Sequence, residues 1–200
     1  MQPKFVPLLP IIAVGWQATS LYIANGHKHE FDGRNKEAKV FERLQRGLAY
    51  PDQGIVAEAQ VSFNNWKIDL VCTCGDERIA VEGKYKTLND GAVPDNRKEA
   101  FFDLYKLEHC VASKEYTKGL FLWLTNQPRY LSVATGDSAD FSTHNGRVYQ
   151  PGTPLNAHRA RRQIPVPFIL HGQYTFHWIE IIVGAGWFML ILEVKGQGTT

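Results

Sequence analysis

The segment Lys67–Lys86, KIDLVCTCGDERIAVEGKYK, predicts a β-hairpin and fixes its register. β-branched and apolar residues fill both halves of the segment, and Gly75-Asp76 between them is a two-residue turn. This turn places Leu70 opposite Val81, so one face of the hairpin is predicted to be almost entirely apolar. On that face Ile68 is expected to lie beside Leu70.

The other face of this hairpin is predicted to bring two carboxylates together. The register puts Asp69 opposite Glu82 and Lys67 opposite Lys84. Like charges that face each other destabilise a sheet, so a bound cation, a raised carboxyl pKa or a different register must relieve the repulsion. Mg²⁺ is the first candidate, because it takes one or two protein carboxylates and fills its shell with water and phosphate oxygens. The ammonium of Lys84 could then orient or deprotonate an attacking water, or neutralise charge on a phosphate.

The same residues also fit a simpler interpretation. Ala80, Glu82, Lys84 and Lys86 alternate along one strand and could form the solvated face of a half-buried sheet. Asp69 argues against this interpretation, because an aspartate between apolar residues is uncommon in the middle of a strand.

In this segment the chain resembles the PD-(D/E)xK nuclease superfamily, which has a restriction-endonuclease-like fold. Asp69 and Glu82-Gly83-Lys84 match its signature of an acid followed by acid-x-lysine, with Ile68 in place of the proline. A literal Pro51-Asp52 lies upstream in a turn-like segment and is set aside. The resemblance implies that Asp69 and Glu82 are metal ligands for Mg²⁺, with Mn²⁺ as an alternative ion, and that Asp69, Glu82 and Lys84 are catalytic.

The flanking sequence predicts the remaining elements of such a core, over residues 35–130. Amphipathic helices are expected at Asn35–Gly47 and Arg97–Ser113, and further strands at Ile55–Phe63 and Gly119–Thr125. A polar loop is expected at Thr87–Asn96. An antiparallel meander followed by a helix and a strand predicts an α/β fold with a mixed central sheet flanked by helices.

Each predicted helix offers further site candidates. Glu37 shares a stripe with Phe41 and Leu44, and the resembled family often places a glutamate of this helix near the metal. An exposed first-turn glutamate, favoured by the helix dipole, is the alternative. In the second helix Tyr105 and Lys106 are neighbours of the site only, because the Gln-x-x-x-Tyr of RecB-like members is absent.

Residues 131–200 are expected to form an extension packed on the core, loop-rich at first. Two strands at Thr175–Val183 and Trp187–Val194 flank Gly184-Ala185-Gly186 and predict a second β-hairpin. The basic side chains expected to contact a nucleic-acid backbone are Lys86, Arg159, Arg161 and Arg162. A solvated run of charge is the alternative for the three arginines.

Composition indicates an ordinary globular chain, with 200 residues, 21% charged residues and a net charge of +2. Three cysteines give no disulfide framework, so buried thiols in a reducing, cytoplasmic compartment are expected rather than a zinc or iron–sulfur site. Residues 1–34 form an N-terminal segment whose stretch 5–26 has no charged residue. We expect this stretch to pack as an arm or strand, with a membrane anchor as the alternative.

The expected function is therefore Mg²⁺-dependent hydrolysis of phosphodiester bonds by a DNA endonuclease of restriction, repair or mobile-element type. Cutting both strands of a duplex would favour a homodimer. The alternative is a non-catalytic nucleic-acid-binding or assembly subunit that keeps the nuclease fold.

Overall fold

The computed structural model describes residues 7–49, 54–156 and 167–196, and a six-stranded sheet lies at its centre. The helices are α1 (Leu8–Ala24), α2 (Lys36–Leu48) and α3 (Val93–Ala112). The strands are β1 (Val56–Phe63), β2 (Trp66–Cys74), β3 (Glu77–Lys86), β4 (Lys118–Thr125), β5 (Arg147–Tyr149), β6 (Pro154–Leu155), β7 (Phe168–Ile169), β8 (Tyr174–Phe176), β9 (Ile179–Glu180) and β10 (Phe188–Val194). The order across the central sheet is β1-β2-β3-β4-β10-β9.

The hairpin of β2 and β3 has the predicted register from the turn as far as Leu70 and Val81, but the pairs predicted beyond it, Asp69 with Glu82 and Lys67 with Lys84, are not formed. Leu70 pairs with Val81 and Cys74 pairs with Glu77, on either side of the Gly75-Asp76 turn. β4 lies parallel to β3, and α3 makes the crossover that parallel neighbours require. The other pairs in the sheet are antiparallel, which confirms the predicted α/β fold with a mixed sheet flanked by helices.

The helices cover opposite faces of the sheet, following the two-residue period of the strands. Leu70 and Val81 pack in the core under α1 and α2, whereas Val71 and Ala80 pack in the core under α3. The prediction for Ile68 is wrong, because its side chain joins the core under α3 instead of lying beside Leu70. The two-residue alternation of β2 is therefore interrupted between these two residues, at Asp69.

Most of the uncharged N-terminal stretch forms α1, a helix and not a strand, and this helix packs against α2. Trp16 stacks on Phe41 with ring centroids 6.0 Å apart, and the backbone N–H of Leu8 donates to the carboxylate of Glu77 at 2.8 Å. The glutamate thus satisfies one of the free N–H groups at the start of the helix. No helix within the described ranges is long and apolar enough to cross a membrane.

The second core helix begins earlier than its sequence pattern indicated. α3 starts at Val93 with Pro94 in its first turn, four residues before the predicted start at Arg97. Proline suits this position because it lacks an N–H and its fixed φ is helical. The buried thiols of Cys72 and Cys110 agree with the expectation of reduced cysteines, and burial raises the pKa of each to about 12.

The C-terminal hairpin exists, but its first strand is shorter than predicted. β9 pairs with β10 through Glu180 and Phe188, whereas β8 leaves the central sheet and pairs with β5. The chain changes direction at Trp178, whose backbone N–H donates to the side chain of Asn145 and whose indole N–H donates to the carbonyl of Thr143. These two hydrogen bonds divide the predicted strand 175–183 into two pieces.

One buried carboxylate joins the C-terminal extension to α3. Glu108 accepts hydrogen bonds from the backbone N–H groups of His171 at 2.9 Å and Gly172 at 2.7 Å, and from the hydroxyl of Tyr174 at 2.7 Å. Hydrogen bonds to a charged group are stronger than those between neutral groups. This carboxylate therefore holds the segment that enters β8.

We predict that Glu108→Ala lowers the free energy of unfolding by about 1–3 kcal/mol, because two backbone N–H groups and one buried tyrosine hydroxyl lose their acceptor. The change is measured by urea denaturation. Glu115→Ala, at an exposed position just beyond the same helix, is the control and should change stability by less than about 0.5 kcal/mol. Equal denaturation midpoints for the two variants would show that the extension does not depend on Glu108.

Candidate active site

The predicted acidic pair lies where β2 separates from β3. Pairing of the two strands ends at Leu70 and Val81, and the next position is bridged by a side chain instead. The Asp69 carboxylate accepts a hydrogen bond from the backbone N–H of Gly83 at 3.1 Å. The separation of the strands thus removes the main-chain pairing that would have placed Asp69 directly opposite Glu82.

β1 is distorted at the same level of the sheet. Gln60 would pair with Asp69, but this pair is missing from an otherwise continuous ladder, and Gln60 has a φ of +55°. The left-handed region is unfavourable for a residue with a side chain, so local strain is concentrated here. The Gln60 amide donates to the second oxygen of the Asp69 carboxylate at 3.3 Å. Asp69 is therefore held from both neighbouring strands.

α3 covers the other acid and supplies two charged residues to it. Glu82 is only 1% exposed, and its Oε1 lies 2.8 Å from Nζ of Lys106. Lys106 also lies 3.1 Å from Oδ1 of Asp103, while Oδ2 of Asp103 pairs with Lys84. Three carboxylates and two ammonium groups are thus brought together between β2, β3 and α3, with one net negative charge.

The interpretation of this strand as a solvated face is wrong. Ala80, Glu82 and Lys84 are 0%, 1% and 8% exposed, because α3 lies over them. Isolated charges are not stable in such surroundings and must be paired. The network of Asp103 and Lys106 provides this pairing.

Burial and the neighbouring charges shift the pKa values of the three carboxyl groups in different directions. Burial, reinforced by Asp103 and Asp69, raises the pKa of Glu82 against the opposing effect of Lys106. Burial and the charge of Asp103 also raise the pKa of Asp69. Burial acts in the same direction on Asp103, but Lys84 and Lys106 outweigh it and lower the pKa of that carboxyl group.

The two lysines remain charged at neutral pH. Burial alone would lower the pKa of Lys84, but Asp103 and Glu37 raise it above its ordinary value. Burial likewise opposes the charged form of Lys106, but Asp103 and Glu82 raise its pKa above the ordinary value. The arrangement suits Lys84 to orienting a water or neutralising a phosphate, rather than to removing a proton.

Glu37 lies beside β3, the strand that carries Glu82. Its carboxylate accepts a hydrogen bond from the backbone N–H of Tyr85 at 3.2 Å and pairs with Lys86 at 2.9 Å. The alternative of a simply solvated first-turn glutamate does not describe these contacts. Lys86 is engaged by this pair and largely buried, so its contact with nucleic acid stays a prediction.

Tyr105 is not brought to the acidic pair. The ring of Tyr105 lies in an aromatic cluster with Trp66, Phe102 and His109, at centroid distances of 6.2, 6.1 and 4.1 Å. Arg159, Arg161 and Arg162 fall outside the described residues.

The sequence analysis did not identify Asp103, and it predicted Lys106 only as a residue near the site. A usable signal was present, because Asp103 lies three residues after Ala100 and four before Leu107, both fully buried. A charge on the core-facing stripe of a helix requires a buried partner. Lys106, three residues further along, is in the right position to share that partner.

The middle residue of Glu82-Gly83-Lys84 is set by packing on the opposite face of the sheet. A Cβ added to Gly83 would lie 2.4 Å from Cζ of Phe41 and 2.5 Å from the carbonyl oxygen of Leu122. Only glycine allows α2 to pack this closely on β3. Packing therefore requires a glycine between Glu82 and Lys84.

Asp69 and Glu82 form a donor set that fits Mg²⁺, which needs one or two protein carboxylates and retains water. Among the described residues, no group of three or more His, Cys, Asp and Glu side chains is arranged to hold an ion. Comparisons with protein-family models, curated proteins and solved structures found no significant match.

We predict that Gly83→Ala lowers the free energy of unfolding by about 1–3 kcal/mol, because the added methyl group overlaps Phe41 and a backbone oxygen. Gly47→Ala in α2 is the control, since its Cβ would meet nothing within 4 Å and alanine is the better helix former. It should stabilise the protein by about 0.5–1 kcal/mol. Thermal denaturation of the two variants should thus move in opposite directions, and a tolerated Gly83→Ala would contradict the packing argument.

Proposed function

We propose that this protein is a Mg²⁺-dependent nuclease of restriction-endonuclease-like fold that cleaves DNA. The observation that carries the proposal is the grouping of Asp69, Glu82 and Lys84 at the point where two central strands separate. Asp69, at this break in pairing, is only partly buried, so a substrate phosphate and its ion would reach the cluster at this side chain.

The order of elements supports the same proposal. α2 is followed by the meander of β1, β2 and β3, and then by α3 and β4, with β4 parallel to β3. This is the sequence of elements that the resemblance implies. The order of the elements and the antiparallel pairing of β1, β2 and β3 agree with the predicted core.

The charged residues have separable roles in this proposal. Asp69 and Glu82 would hold the ion, which when bound supplies a Lewis acid to the scissile phosphate. Lys84, held by Asp103, would orient the attacking water and offset negative charge on the phosphate. Gly83 donates its backbone N–H to Asp69 and so fixes the position of that carboxylate beside Glu82.

One observation favours the non-catalytic alternative. Lys84 pairs with Asp103 and Lys106 pairs with Glu82, so these groups already satisfy one another as structural ion pairs do. A nucleic-acid-binding or assembly subunit could keep this network for stability alone. Cleavage assays separate the two functions.

We predict that supercoiled plasmid DNA is nicked or cut with Mg²⁺ or Mn²⁺ and not with EDTA. Asp69→Asn and Lys84→Met should each lower the rate by about 10²-fold or more, because each removes a group that acts on the reacting phosphate. Lys118→Met is the matched control, since this lysine of β4 pairs with Glu77, outside the proposed site, and should leave the rate unchanged.

Circular dichroism and melting curves must show that each variant is folded. DNA binding without cleavage by the folded wild-type protein would favour the non-catalytic subunit. Cleavage that survives Lys84→Met unchanged would remove the proposed role of this lysine.

A further inference from the structure

The ammonium group of Lys106 lies among three oxygen atoms from three different residues. Its Nζ is 2.8 Å from Oε1 of Glu82, 3.1 Å from Oδ1 of Asp103 and 3.4 Å from the carbonyl oxygen of Lys67. Carboxylate and backbone carbonyl oxygens are also the ligands that hard divalent cations take. The side chain is therefore a cation in an oxygen cage, tethered to α3.

The position is enclosed on several sides. Lys106 is 8% exposed and Asp103 is 4% exposed, and the second oxygen of Asp103 pairs with Lys84. Asp103 thus has both oxygens committed to ammonium groups. Asp69 is only partly buried, and its hydrogen-bond partners are neutral groups of two strands. It is therefore the carboxylate that can bind a further cation.

The charges of the cluster also favour one ion. Asp69, Glu82 and Asp103 with Lys84 and Lys106 carry one net negative charge when all are ionised. One divalent ion and one phosphodiester group would bring this total to zero. With a second divalent ion the total would be +2 when Lys106 is present and +1 when it is absent, so the ammonium disfavours a second ion in this largely buried site.

We infer that Lys106 takes the place of a second metal ion, so that the site binds one divalent ion per chain. The inference rests on the proposed function, because it concerns the ion held by Asp69 and Glu82. Many phosphodiester-cleaving sites use two ions about 3.5–4 Å apart, which stabilise both the attacking and the leaving oxygen. Here the tethered ammonium supplies the second positive charge and positions the carboxylate of Glu82.

The test is to count Mn²⁺ ions bound to the full-length chain. The electron paramagnetic resonance signal of free Mn²⁺ gives the stoichiometry without any need for cleavage. Wild type should bind one ion, and Lys106→Ala should bind two, because removal of the ammonium opens the three-oxygen cage. Lys118→Ala should still bind one, and Asp69→Asn should weaken binding of the wild-type ion by at least about tenfold, or 1.4 kcal/mol.

The outcomes separate this inference from the proposed function. Two ions on the wild-type protein, or one ion on Lys106→Ala, would overturn the inference while metal-dependent cleavage still supported the nuclease. No ion on the wild-type protein, together with no cleavage, would overturn both.

A second variant covers the case in which Lys106→Ala does not fold. Lys106→Gln removes the charge and offers an amide oxygen that can serve as a further ligand for an ion in the cage. It should also gain a second Mn²⁺ ion. A stoichiometry of one for a folded Lys106→Gln would count against the inference.

Discussion

The pairing of Asp103 with two lysines is the interaction on which the arrangement of this molecule depends. One lysine, Lys84, comes from the central strand β3, and the other, Lys106, from the same helix as Asp103. Removal of one partner from a buried ion pair is strongly destabilising, since it leaves an uncompensated charge out of water. The docking of α3 on the sheet therefore requires the same charged groups that the proposed chemistry requires.

A second constraint is the break in the sheet beside this network. Full pairing of β2 with β3 would place Asp69 directly opposite Glu82, where the two like charges would destabilise the sheet. In the structure, main-chain pairing of β2 with β3 ends at Leu70 and Val81, and the β1–β2 ladder is interrupted at Gln60, which has a left-handed conformation. The side chain of Asp69 then binds the backbone of the neighbouring strand. The conformational strain at Gln60 thus lies beside Asp69, whose carboxylate the Gln60 amide contacts.

The parts of this structure that could be predicted from sequence are those that local rules determine. The Gly75-Asp76 turn fixes the register as far as Leu70, and the apolar run of β4 indicates a strand covered on both faces. The placement of Ile68 could not be predicted, because it depends on a distortion in a different strand. Strand 175–183 was predicted as one piece because the hydrogen bonds that divide it come from residues more than thirty positions away. Asp103 left a readable signal, since a charged residue on a buried helical stripe implies a partner.

The three residues Glu82-Gly83-Lys84 show how one short segment serves both faces of the sheet. Glu82 and Lys84 interact with α3, while Gly83 between them allows Phe41 of α2 to approach the backbone. The two lysines compensate most of the negative charge, so the ion pairs that join helix and sheet require no bound ion. A metal at Asp69 and Glu82 would therefore serve chemistry rather than folding. This separates the molecule from small metal-dependent domains, in which binding of the ion is itself the source of stability.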